Sequence, residues 1–284
     1  MNKFIRLTLT AGAALAIISP ANADHAWSNY HWAGAGTELP LKINLKITSQ
    51  WTASVNRGIA DWNQSTELAL TSQTAPAATT AKRCNPIAGQ VLVCNYTYGQ
   101  RGWLGIASVW LSNGHISQAT TKLNDSYFNS ASYNTPAWRA LVACQEIGHD
   151  FGLGHQDEGF AAPNLGSCMD YTDDPDGGGV FGPSNEHPND HDLDQLKTIY
   201  NHDDGFTTST AGTNFGIREF GKPVPQRPVN EEAVGDSPSE WGRAIHKDGA
   251  GRPDLFEKDI AQGRKMITHV FWAIGEGPQG GQHD

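Results

Sequence analysis

The chain reads as an α+β protein on three observations. Leu41 to Thr48 (L-K-I-N-L-K-I-T) alternates strictly between apolar and polar residues, the pattern of a half-buried strand. Trp51, Val55, Ile59 and Trp62 then recur at helical spacing, so residues 50–65 form an amphipathic helix whose tryptophans pack in the core. Several further strand-like runs, divided by turn signals, precede a second helix that opens at Thr135-Pro136. Together they predict an α+β fold built on a sheet of about four or five strands with one early helix.

In chain order, Met1 to Ala23 reads as an export signal. Lys3 and Arg6 supply the positive start, Leu7 to Ile18 is apolar but too short to span a bilayer, and Ala21-Asn22-Ala23 is a small-x-small cleavage site. Cleavage before Asp24 would leave 261 of the 284 residues. Glu67 to Gln73 is a second strand, followed by an Ala/Thr/Pro loop over 75–81. Gln90 to Tyr98 and Leu104 to Leu111 are strand-like, and Asn113-Gly114 signals a hairpin into Ile116 to Leu123, with His115 a turn residue. Thr135 is an N-cap and Pro136 the first helical residue, with Trp138, Leu141 and Val142 on the inner face. Asp190 to Tyr200 is a last helix that buries Leu193, Leu196, Ile199 and Tyr200. Residues 206–240 are rich in Gly, Pro, Thr and Ser and read as linker or extended wrapping. Trp241 to His246 and Lys265 to Ile274 look like two strands around a Gly/Pro loop, packed on the main domain. The domain reading is therefore a signal over 1–23, a main domain over 24–205, and a linker with a hairpin-like extension over 206–284.

The 20 basic residues less Lys3 and Arg6 leave 18 against 30 acidic ones, a formal charge of −12, which argues against binding nucleic acid through its phosphates. No stretch after the signal is long and apolar enough to cross a membrane, so the product is expected outside the cytoplasm, secreted or periplasmic, and monomeric. Four cysteines in an exported chain imply two disulfides with three possible pairings. Cys84 and Cys94 flank Pro86 and Gly89 and would staple a loop. Cys144 and Cys168 would then pair.

The stretch around which the chain is organised is Cys144 to His155, which contains Q-E-x-x-H-x-x-G-x-x-H. Gln145 and His149 lie one helical turn apart on one face, Glu146 stands beside them, and Gly152 allows a bend that brings His155 to the same point. Two imidazoles with a neighbouring carboxylate are the components of a catalytic zinc and its general base. The stretch resembles the metzincin zinc endopeptidases, marked by H-E-x-x-H-x-x-G-x-x-H and a methionine turn. Ser167-Cys168-Met169-Asp170-Tyr171, 14 residues beyond His155, matches that turn.

The resemblance implies a metzincin-like fold, a twisted, mostly parallel mixed sheet with helices over a smaller irregular lower subdomain that holds the Met-turn, with an active-site helix and hydrolysis of a protein or peptide substrate. His149 and His155 would hold Zn2+ and Glu146 would be the base. Met169 would form a buried floor that does not coordinate. Tyr171 would be a fifth ligand or an oxyanion donor, as in the astacin and serralysin branches. His115 to Leu123 would be the edge strand that pairs with extended substrate, and the Asp190 helix would close the lower subdomain.

The chain departs from the pattern at Gln145, where the family has its first histidine. Three readings stand: Gln145 ligates through its amide oxygen; a water or another side chain, His187 or His191 included, fills the place; or the site is silent and the chain is a metzincin-like binding module. Asp170, Asp173, Asp174 and Asp176 run into Gly177-Gly178-Gly179 and offer carboxylates for Ca2+, but without EF-hand spacing they read better as a solvated loop. Among Glu186, His187, Asp190, His191 and Asp192, Pro188 keeps the two histidines off one helix face, and Asp190 reads as a helix cap.

Overall fold

Leu39, Leu41 and Ile43 are buried at every second position of β2 (Leu39–Lys46), two residues earlier than the expected span. The computed structural model describes residues 25–210, 217–219, 222–224 and 232–278, so the leader read at residues 1–23 lies outside the described residues. Helix α1 (Ser49–Trp62) buries Trp51, Val55, Ile59 and Trp62 against the sheet, as its 3.6-residue spacing requires. Strands β3 (Leu68–Thr74), β4 (Val91–Tyr96), β5 (Trp103–Ser112) and β6 (His115–Asn124) follow. Asn113 and Gly114, with φ of 51° and 84°, make the two-residue turn between β5 and β6; both residues need the left-handed region there.

With β1 (His31–Trp32) the sheet has nine strands, in the order β3-β2-β4-β6-β5-β11-β10-β9, β1 pairing beside β6. Strand β2 runs parallel to β3 and β4, and β6 parallel to β4 and β1. From β6 through β5, β11 and β10 to β9 every pairing is antiparallel. The sheet is mixed, divided evenly rather than mostly parallel. Strand β6 lies inside it and is no edge strand. The tight hairpin lays β5 on the outer side of β6, and the outer edge of β5 is in turn taken by β11.

The tail supplies three strands where two were expected: β9 (Arg243–Lys247), β10 (Pro253–Ile260) and β11 (Arg264–Trp272). The inward residues of β10 are Asp254 and Phe256, and Glu257-Lys258-Asp259 follows. A buried carboxylate and a run of charges conceal its alternation. In β11 the alternation is complete. Met266, Val270 and Trp272 join Trp103, Ile106, Trp110, Trp241 and Phe256 in one cluster, while Ile267 and Phe271 join the main core on the other face. By the same period of two, His269 belongs to the Ile267/Phe271 face.

Short helices α2 (Asp125–Phe128) and α5 (Pro238–Trp241) flank the sheet, and β7 (Ile217–Glu219) with β8 (Lys222–Val224) forms a separate two-stranded ladder. The two long later helices are α3 (Pro136–His149) and α4 (Asp190–Tyr200). Disulfides join Cys84 to Cys94 and Cys144 to Cys168; the second ties α3 to the segment carrying Met169 and Tyr171. Among the described residues no helix is long and apolar enough to cross a membrane.

Candidate metal centre

Thr135 caps α3 by accepting a hydrogen bond from the Trp138 N–H, and Pro136 occupies the first turn, where its missing N–H costs nothing. The helix is buried along nearly its whole length, with Gln145, Glu146 and His149 all fully enclosed. Close approach to β5 depends on Gly105: a Cβ there would stand 2.8 Å from both Glu146 Cγ and Val142 Cγ1. After the helix, Gly152 turns the chain at φ +90°, with Tyr30 O packed where a side chain would begin. That turn places Leu153 O 2.8 Å from His149 Nδ1 and brings His155 round to the helix.

His149 Nε2 and His155 Nε2 lie 3.1 Å apart. His149 Nδ1 donates to a carbonyl, which can only accept, and His155 Nδ1 donates to Glu158 Oε1 at 3.1 Å. With their protons on the δ nitrogens, the two rings present bare ε lone pairs to each other. A proton or a cation between them relieves the repulsion. Burial, reinforced by His155, holds His149 well below the ordinary imidazole range and disfavours the proton. Two nitrogens about 2.0–2.1 Å from a tetrahedral zinc would be roughly 3.3 Å apart, so the donor set fits a metal ion.

The third imidazole comes from β11. His149, His155 and His269 each offer a ring nitrogen, all within 4.8 Å of one another. The His269 ring centroid is 3.9 Å from that of His149 and 4.8 Å from that of His155. Burial, then His149 and His155, pushes the His269 pKa well down, which keeps this ring neutral and able to ligate. Trp27 stacks on His149 at 4.7 Å and closes that side.

Glu146 uses its two oxygens differently. Oε2 is 3.2 Å from His269 Nδ1, while Oε1 is buried against Gly105 of β5. Burial, then the neighbouring Asp150, pushes its carboxyl well above the usual range. The Tyr171 hydroxyl lies 2.9 Å from His269 Nε2 and 3.3 Å from Asp254 Oδ2. Met169 is buried beneath α3, its sulfur against Gly148. Gln145, expected among the ligands, donates its amide nitrogen to Cys168 O at 2.8 Å, and its Oε1 has no hydrogen-bond partner among the described residues.

His269 was missed because it stands 114 residues beyond His155 and outside the motif. The available signal was one histidine inside the otherwise largely apolar strand run M-I-T-H-V-F-W. His187 and His191 do not replace it: His187 bonds Asp61 at 2.6 Å, and the His191 ring stacks on His25. The cap of α4 is Asn189, paired with Asp192 in a capping box, and Asp190 follows in the first turn. Asp170 in the acidic run accepts from Leu165 N and Asn185 Nδ2, and none of Asp170, Asp173, Asp174 or Asp176 joins a converging ligand group among the described residues.

A cavity of about 340 Å³ opens beside the centre, lined in part by Trp27, His155, Glu158, His246 and His269. No family model matches this chain, and no curated protein does. The solved structure of myroilysin is similar to part of it, over 63% of this chain and 98% of that one, at 12% identity and a TM-score of 0.35, too distant a likeness to argue from.

Proposed function

We propose that this chain is an exported zinc endopeptidase of metzincin-like build, in which His269 takes the place that Gln145 leaves. The observation that carries the reading is the pair of bare ε nitrogens 3.1 Å apart, with a third buried imidazole beside them. Bound there, zinc would polarise a scissile carbonyl and acidify a water. Glu146 Oε1 takes the proton from the attacking water and hands it to the leaving amine, while Oε2 orients His269 through Nδ1. The Tyr171 hydroxyl, which rests against His269 Nε2 and Asp254, would turn from them to donate toward the oxygen that gains charge. Met169 supports α3 from below, and Gln145 ties the helix to Cys168 without ligating.

A second reading, a metzincin-like binding module without turnover, is favoured by one observation: Glu146 is fully buried, away from any attacking water. Zinc analysis of purified protein, with a quenched peptide library, separates the two. Cleavage that disappears on chelation and returns with zinc supports the enzyme. Bound zinc without cleavage of any member would leave the binding module.

A further inference from the structure

A second cluster lies away from this centre, where three segments distant in sequence meet. His31 in β1 and His115 at the start of β6 are paired residues of the parallel ladder. His202 and Asp204 follow α4. Asp204 Oδ2 accepts from the Gly34 N–H at 2.8 Å, which turns Oδ1 inward. The Nε2 atoms of His31, His115 and His202 stand 3.4, 3.3 and 3.1 Å from that one oxygen, and His31 Nε2 is 3.0 Å from His202 Nε2.

His31 Nδ1 donates to Asn29 O at 2.7 Å, which leaves its Nε2 with either a second proton or a bare lone pair toward Oδ1. A bare nitrogen facing a carboxylate oxygen is repulsive unless something positive sits between them. The side chains of His31 and Asp204 are only 12% and 11% exposed, so water screens little of this.

We propose that His31, His115, His202 and Asp204 bind a second divalent transition metal, most simply zinc, with a structural rather than a chemical task. Three imidazoles and a carboxylate suit zinc over calcium or magnesium, which prefer oxygen. His31, His115 and Asp204 converge, and with His202 beside them four protein ligands would leave no open position for a substrate, the pattern of a structural site. The place fits that task. Asp204 N donates to Gly34 O and Thr208 N to Ala33 O, so the chain leaving α4 is laid along β1 at this point. An ion here would pin that departing segment to β1 and to the β5–β6 turn.

The test is zinc stoichiometry of the full-length purified protein after removal of loose metal, with zinc-dependent thermal stability beside it. Wild type should retain two ions per chain. His202→Ala with Asp204→Asn should retain one and lose most of the zinc-dependent rise in Tm, while His149→Ala should also retain one and keep that rise. His202 is 45% exposed, so His202→Gln alone serves as a gentle variant if the double substitution fails to fold; it should weaken the second ion at least tenfold in chelator competition. If the centre on α3 is empty, wild type retains one ion, lost with Asp204→Asn and not with His149→Ala. Zinc content unchanged by every substitution at 31, 115, 202 and 204 would reduce the cluster to a hydrogen-bonded one and overturn the proposal.

Discussion

Glu146 carries two tasks on one side chain, and they come apart by mutation. Glu146→Gln keeps an oxygen for His269 Nδ1 but cannot take a proton. It should hold zinc close to wild type while cleavage falls by about 10²–10⁴-fold, the usual worth of a general base. Equal cleavage by the variant in a fluorogenic peptide assay would remove Glu146 from the chemistry. The ligand assignment is tested at the same scale. His269→Ala should weaken zinc by more than the roughly 10–100-fold typical of losing an outer-shell partner, and Gln145→Ala by less than that range. If competition against a chelator ranks them the other way, Gln145 is the ligand and His269 is not.

Asp170 offers a pH prediction that needs no metal. Burial pushes its carboxyl up to about 6, although Leu165 N and Asn185 donate to it. The folded value lies above the unfolded one, so the folded state binds more protons between them. The contribution is present in full below the unfolded value near 4 and is lost as pH rises through about 6. Asp170→Asn keeps an acceptor for both donors. In chelator-treated protein it should flatten the fall in unfolding free energy between pH 4 and 7, followed through Tm, by on the order of 2–3 kcal/mol. A variant whose Tm falls with pH as steeply as wild type would assign that slope to other groups.

Among the elements, the contact between α3 and β5 sets how near the carboxylate stands to the sheet. Gly105→Ala adds a methyl 2.8 Å from Glu146 Cγ and Val142 Cγ1. Overpacking of this kind costs about 1–3 kcal/mol, to be read as a lower urea midpoint with unchanged slope, and it should lower cleavage as well by displacing Glu146. Unchanged values of both would mean that the helix can retreat freely. The elements were largely legible because local periodicity governs them. Thr135-Pro136 fixed the start of α3, and the strands from β2 to β6 lay within a few residues of their expected spans. Strand β10 escaped because Asp254, fully buried, sits where an apolar residue was required, its charge shared with Tyr171 and His246. The position of β6 inside the sheet escaped because order along the chain does not state which side of a hairpin faces outward.

At the scale of the whole molecule, the motif gave two imidazoles and the carboxylate because helical spacing brings them together locally. The third imidazole depends on a non-local pairing, β11 with β5, and no spacing rule reaches that far. What the tail does to the centre follows from that pairing. His269 is in register with Ala107 on β5, and it reaches α3 only when β11 has zipped along that strand. A chain still emerging from the ribosome, or one cut before Arg264, therefore has two of the three imidazoles and no partner for Glu146 Oε2. On this assignment β11, with His269 114 residues beyond the motif histidine His155, completes the centre, and a chain that has not yet reached it lacks the third imidazole. Purified protein ending at residue 263 should hold no zinc on α3 at concentrations that fill the intact chain, and zinc retained there at full strength would show that the tail completes nothing.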